Sequence, residues 1–180
     1  AGCQMLEWLD PFCEMLAKQD CTVVRVDNRD VGLSTHFDDI CPNPGELLAR
    51  AHAGEPYDAP YTIEDMAKDT AELIKVVSNG PAHVVGRSMG GMIGQRVAIH
   101  YPEQIASLCS VASSAGNPDF RIRDEQVMKF FQLPPATTYE EQIQRNVDGD
   151  RLFSGTHFEF DEEVDYKKRA EMRARSDDSN

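Results

Sequence analysis

The sequence predicts a single α/β domain built on a mostly parallel sheet with flanking helices. Three observations carry that prediction. Short apolar runs at 22–26, 82–86 and 107–112 are separated by segments of helical spacing, the alternation that parallel α/β sheets require. The run Thr-Val-Val-Arg-Val at 22–26 is apolar on both parities apart from Arg25, as a strand covered on both faces would be. Between 82 and 101 the order is strand, tight turn, helix, and the turn reads Gly86-Arg87-Ser88-Met89-Gly90.

The elements follow in order. Asp10-Pro11, ahead of Phe12, Met15 and Leu16, reads as a capped helix start with proline at the first helical position, running to about Lys18. The strand at 22–26 ends at Asp27. From 27 to 60 the chain is rich in Asp, Gly and Pro, which favours turns and a long surface excursion, with one or two helical turns at 46–52. Thr62 opens the clearest helix, because Ile63, Met66, Ala67, Thr70, Ile74 and Val77 recur at spacings of three and four and line one face. Asn79-Gly80-Pro81 stops it. The helix after the Ser88 turn places Ile93, Val97 and Tyr101 on one side and ends at Pro102. Beyond Ser113 the pattern is polar and helical. The last twenty residues mix acids and bases as a solvated helix face does, with pairs such as Glu163 and Lys167 one turn apart.

Composition narrows the function classes. The 180 residues carry 31 acids against 18 bases, a formal net charge of −13, and no basic stripe, which argues against a nucleic-acid partner. No apolar run approaches the ~20 residues needed to span a bilayer. The five cysteines, Cys3, Cys13, Cys21, Cys41 and Cys109, form no CxxC pair and are odd in number. They suit reduced thiols in the cytoplasm better than a disulfide frame or a structural zinc site. No metal or organic cofactor is implied. The chain opens without Met or a targeting signal, and reads as starting inside something longer.

Gly86-Arg87-Ser88-Met89-Gly90 fits G-x-S-x-G between a predicted strand and a predicted helix, the context that gives the pattern meaning. A serine on so sharp a turn adopts a strained backbone conformation, and side chains two positions to either side would collide with it, hence Gly86 and Gly90. The turn lifts the Ser88 hydroxyl above the strand ends. The N–H of Met89, opening the helix, then points at a developing oxyanion. A chance Gly-x-Ser-x-Gly in a glycine-bearing loop is the competing explanation, and the flanking elements weigh against it.

Taken together, Trp8, Asp10-Pro11-Phe12, the stretch from Thr22 through Asp27-Asn28-Arg29-Asp30-Val31-Gly32-Leu33-Ser34, and His83-Val84-Val85-Gly86-Arg87-Ser88-Met89-Gly90-Gly91 resemble the α/β-hydrolase superfamily over most of 1–118. Asp30 stands where that family's D-x-R-G-x-G-x-S turn usually has glycine. The Asp-Asn-Arg-Asp variant and Ser114-Ala115-Gly116-Asn117-Pro118 resemble the branch of serine esterases that includes the aclacinomycin methylesterases. The resemblance implies an incomplete α/β-hydrolase fold. Residues 1–112 would be a partial core with the oxyanion-loop tail and the fourth to sixth strands, and 113–180 the start of a helical cap. It also implies a second oxyanion N–H at or beside Ala1, and a catalytic acid and histidine beyond this chain. Since the family's third strand lies between the fourth and fifth, the 180 residues alone are expected to aggregate or fold poorly.

A serine nucleophile needs a histidine base and an orienting acid. His83, in the strand below Ser88, is expected to be buried in the sheet, and His100 lies far down the following helix. His36, His52 and His157 suit surface or packing duty, with His36 the nearest thing to a stand-in base. Asp119 follows the third apolar run, where a minority of the family place the acid; a turn is the favoured reading. Arg29 and Asp27 form a candidate pair within a structural turn, and Arg87 faces either the pocket mouth or solvent. The expected function is hydrolysis of a small-molecule carboxylic ester through an acyl-enzyme on Ser88. The alternatives are a cofactor-free haloperoxidase, a C–C hydrolase, and a non-catalytic homologue or truncated product acting as a binding module. No G-x-G-x-x-G follows a strand, which sets dinucleotide binding aside.

Overall fold

In the computed structural model, which describes residues 3–37, 50, 54–55, 59–116, 125–134 and 136–177, the chain divides into two compact units. One is drawn from 24–117 with the first two residues, the other from 3–23 and 118–180. The regular elements are α1 (Asp10–Ala17), α2 (Ile63–Val77), β1 (Ala82–Arg87), α3 (Met89–His100), β2 (Ile105–Val111), α4 (Glu125–Phe131), α5 (Tyr139–Phe153) and α6 (Glu162–Asp177). Short 3-10 turns cover Met5–Glu7 and Pro102–Gln104.

The first unit grows from α2. Thr62 caps it in both directions: its hydroxyl accepts from Asp65 N (3.2 Å), and the Asp65 carboxylate accepts from Thr62 N (2.7 Å). Those bonds hold the Asp65 carboxyl below its ordinary pKa. The predicted apolar face is real at its centre, where Met66, Ala67, Ala71 and Ile74 are buried against Ile93 and Val97 of α3. Val77, the last residue of the helix, escapes it and is 46% exposed.

β1 and β2 pair in parallel, with Val84 opposite Leu108 and Gly86 opposite Ser110. Ala82, Val84 and Ile105 pack against the core that α2 and α3 share. The other face of the sheet, carrying His83, Val85, Arg87, Ser107, Cys109 and Val111, is exposed. This corrects the expectation that His83 is buried in the sheet. Its Nδ1 lies 2.8 Å from Ser107 Oγ across the ladder.

The expected strand at 22–26 is a second correction. Residues 21–28 join no ladder, and the sheet of the described residues has two strands. A β-branched run becomes a strand only where a neighbour takes up its N–H and C=O groups. Val24 and Val26 remain 49% and 42% exposed, so that neighbour is not found among the described residues.

In the second unit α1 begins one residue earlier than expected. Leu9 is its N-cap and Asp10 lies inside the first turn, so Pro11 follows the first helical position. Thr138 caps α5 by accepting from Glu141 N (3.2 Å), and Thr137 N and Oγ1 both donate to the Glu141 carboxylate (2.7 Å), lowering its pKa. Val147 is wholly buried, and Gly149 admits Phe130 so closely that a Cβ would stand 2.7 Å from the ring. The charged face of α6 pairs differently from the expected Glu163 and Lys167. Glu162 meets Arg151 of α5, and Asp165 meets Lys168 (2.5 Å). Among the described residues no helix is long and apolar enough to cross a membrane, and no three His, Cys, Asp or Glu are grouped to hold a metal ion. The turn at 46–52 apart from residue 50, with His52, and Asp119 lie outside the described residues, as do Cys41 and Ala1.

Candidate active site at the β1 to α3 turn

Ser88 is the single residue between β1 and α3, and it bends the chain with φ 53° and ψ −120°. Left-handed φ at a residue with a side chain costs of order 1–3 kcal/mol and persists only where the surroundings hold it. Here the bonds that hold it can be named. Ser88 N donates to Val111 O (2.9 Å), extending the β1–β2 ladder by one bond. Its carbonyl accepts from Ser113 Oγ (2.7 Å), Gly91 N (2.9 Å) and Met92 N (3.3 Å). The backbone is thus fixed on both sides, and the side chain is exposed. It does not cap α3, and no described residue takes its hydroxyl.

Close approach explains the glycines, though not in the expected way. A Cβ on Gly86 would run into the backbone carbonyl of Gly90 and stand 2.7 Å from Gly91 N, so position 86 admits no side chain. A Cβ on Gly90 would meet no described residue within 4 Å beyond its own helix, so the described structure adds no close contact at that position. The constraint falls one residue later. Gly91 faces Ser113 and Ser110, whose side-chain atoms would lie 2.5–2.6 Å from its Cβ, and Gly94 faces Leu108 Cδ1 at 2.6 Å. These two glycines, three apart, let α3 lie on β2. Their signal was visible as Gly-Gly-Met-Ile-Gly, but G-x-S-x-G drew attention to position 90 instead.

Met89 is the first residue of α3, so its N–H has no acceptor within the helix and stands at the positive end of the helix dipole. Its side chain packs on the core of the unit, which anchors that N–H. Beside it the chain leaving β2 turns sharply at Ala112, whose φ of 45° was not foreseen. Gln95 of α3 holds the segment after it, donating to Ser114 O (3.3 Å) and, more distantly, to Ser110 Oγ (3.4 Å).

The 27–37 turn belongs to the same unit and is closed by its own side chains. Asp27 O accepts from Ser34 Oγ (2.6 Å) and Asp27 Oδ2 from Leu33 N (3.3 Å). Asp30 has φ 59°, the left-handed region in which glycine is at ease, and its carboxylate offsets the strain by accepting from Phe37 N (2.6 Å). Arg29 does not pair with Asp27. It makes two 2.7 Å bonds to Asp69 of α2, with its guanidinium over Phe37 (5.5 Å) and Tyr61 (4.9 Å), and the Asp69 bonds raise its pKa. His36 Nε2 lies 3.0 Å from Gly32 O, within its own turn. His100 is exposed at the end of α3, and His157 is exposed with its ring edge-on to Phe158 (6.0 Å). Among the described residues no histidine bonds to Ser88. Arg87 is exposed on the open face of the sheet.

The family model described as the alpha/beta hydrolase fold matches residues 4–164, nearly the whole chain. The chain belongs to the α/β-hydrolase fold family. Its relatives include the rhodomycin D methylesterases DauP of Streptomyces sp. (strain C5) and DnrP of Streptomyces peucetius, each 28% identical over 186 residues that cover 93% of this chain and 56% of theirs. A homoserine O-acetyltransferase of Thermus thermophilus is 33% identical over 85 residues, 46% of this chain and 22% of its own. The chain thus spans about half the length of the two methylesterases.

Proposed function

We propose that this chain carries the nucleophile of a carboxylic-ester hydrolase, with Ser88 attacking the ester carbonyl. The observation that carries the reading is the geometry at Ser88: a left-handed serine locked between strand and helix, its hydroxyl exposed and unused by the described structure. The printed activity of the two methylesterases supports an ester, and makes methyl esters of small molecules the first substrates to try. Residues 1–112 serve as part of the catalytic core and 113–180 as the start of a cap over the substrate, in a cytoplasmic enzyme.

The reaction balances without a cofactor. A histidine takes the Ser88 proton as Oγ adds to the carbonyl carbon, and the carbonyl oxygen becomes an oxyanion. Met89 N–H stabilises that charge, with a second N–H from or beside Ala1. Collapse breaks the ester bond, the protonated histidine gives its proton to the departing alcohol, and water releases the acid from Ser88 by the same steps.

The test uses the protein in its natural length. A serine-directed fluorophosphonate labels Ser88, located by peptide mass, and Ser88→Ala lowers turnover of an activated acetate ester by about 10⁴-fold or more. Labelling elsewhere, or full turnover by the variant, overturns the reading.

A further inference from the structure

Both backbone groups of Ser88 are engaged by the chain that leaves β2. Its N–H donates to Val111 O (2.9 Å), and its carbonyl accepts from Ser113 Oγ (2.7 Å). Local structure does not require the second of these bonds. Gly91 N (2.9 Å) and Met92 N (3.3 Å) already donate to the Ser88 carbonyl as α3 begins, so both lone pairs of that oxygen have backbone donors without the side chain. Three features of the first unit place Ser113 there nonetheless. Ala112 holds a left-handed φ of 45°, a strained conformation for a residue with a Cβ, and the residue just after this turn is the one that reaches Ser88. Position 91 is a glycine where a Cβ would stand 2.5–2.6 Å from Ser113 Cβ and Oγ. One turn further along α3, Gln95 Nε2 donates to Ser114 O (3.3 Å) and keeps the segment on the helix.

What the bond does follows from the peptide it reaches. The Ser88 carbonyl and the Met89 N–H belong to one planar trans unit, so whatever fixes the direction of the first fixes the second. Gly91 N and Met92 N hold that carbonyl from within α3, whereas the Ser113 hydroxyl holds it from the segment after β2, off the helix. A hydrogen bond donated to an amide oxygen also polarises the amide and strengthens its N–H as a donor, by ~10–30% for each bond. We propose that Ser113 is a positioning residue for the chemistry at Ser88: through the Ser88 carbonyl it aims and polarises the Met89 N–H that meets the developing oxyanion. This role rests on the reading of Ser88 as nucleophile and of Met89 N–H as oxyanion donor.

Magnitudes separate this role from that of the donor itself. Removing a whole oxyanion donor costs about 10²–10³ in kcat. Ser113 acts through a donor that stays in place, so its effect is that of one net hydrogen bond, about 2- to 10-fold. The effect falls on kcat, because the oxyanion exists only past the ground state. Acylation and deacylation both pass through such an oxyanion, so they slow together and KM holds. Stability changes little on loss of the hydroxyl, since the Ser88 carbonyl keeps its two backbone donors.

Kinetics of the natural-length protein test this, with active sites counted by exhaustive fluorophosphonate labelling of Ser88. Ser113→Ala labels to the same stoichiometry and unfolds at the same temperature, while kcat per labelled site on an activated acetate ester falls about 2- to 10-fold at unchanged KM. Ser113→Thr keeps the hydroxyl and restores the rate. A trifluoromethyl ketone, whose adduct with the serine carries the oxyanion, binds Ser113→Ala more weakly by the same factor. Unchanged kcat per site, or equal affinity for the ketone, overturns the proposal and leaves the ester-hydrolase reading standing. So does a loss that lies wholly in KM or in the number of labelled sites, or a Ser113→Ala chain that does not fold, since each makes Ser113 structural. If the unaltered protein is not labelled at Ser88, the ester-hydrolase reading falls, and the role of Ser113 falls with it.

Discussion

The two units are held together by different physics. In the first, α2 and α3 bury Met66, Ala67, Ala71, Ile74, Ile93 and Val97 against one another, and the sheet lies on that core. In the second, wholly buried apolar side chains are sparse among the described residues, with Val147 the largest of them, and a buried arginine ties Glu7, Asp150 and α6 together. Apolar burial adds up over many contacts, so such a core weakens gradually. A buried charge network is conditional: paired, it specifies one arrangement, and with one partner removed it leaves desolvated charge behind.

Arg169→Ala therefore has the largest effect on stability. It strands Glu7 and Asp150 without their main partner and costs about 3–5 kcal/mol, confined to the second unit. Denaturant titration followed by hydrogen exchange resolves this by region: protection is lost at 4–8 and in α5 and α6, and kept in α2 and α3. Uniform loss would show that the two units do not open separately.

Ile93→Ala is the counterpart in the first unit. Ile93 is 4% exposed, and its truncation costs about 2–5 kcal/mol through lost transfer energy and the cavity left behind. Because its partners are apolar, the loss is insensitive to pH and salt, whereas the Arg169 effect diminishes on acidification through Asp150, whose carboxyl, pushed up by burial, is held below its ordinary pKa by the bond to Arg169. Measuring both variants at two pH values sharpens the contrast. An Ile93→Ala penalty that changed with pH as much as the arginine's would break it.

The same contrast decided what could be read from the sequence. The face of α2 was legible because its periodicity and its contacts are one fact, and the capped start at Thr62 was legible because both capping residues are local. The strand-to-helix turn at Ser88 was legible because Gly86, Ser88 and the flanking elements lie within a few positions. Residues 22–26 were misread: their composition suits a strand, but a strand also needs a neighbour, and composition carries no information about one. His83 was misplaced for the same reason, since burial on the second face of the sheet depends on what covers it. The network around Arg169 was invisible because Glu7 lies 162 positions away and mixed charges on α6 resemble any solvated helix. Asp30 is intermediate. Its departure from glycine was noticed, and its left-handed φ, offset by a bond to Phe37 N, shows how the turn tolerates it.

The smallest expected effect bears on the glycines at Ser88. Gly86→Ala forces a methyl into the Gly90 carbonyl and must move the turn, whereas position 90 is in the first turn of α3, at ordinary φ, with no described residue beyond its own helix where a Cβ would go. Alanine is the better helix former by up to about 1 kcal/mol and reduces the freedom of the unfolded chain. Gly90→Ala is thus neutral to slightly stabilising by thermal unfolding, and it leaves fluorophosphonate labelling of Ser88 intact. If it destabilises instead, an element outside the described residues fills that space, and the G-x-S-x-G spacing has a steric basis at both glycines. If labelling falls while stability holds, position 90 borders the substrate, and its glycine is kept for access to Ser88 and not for the fold.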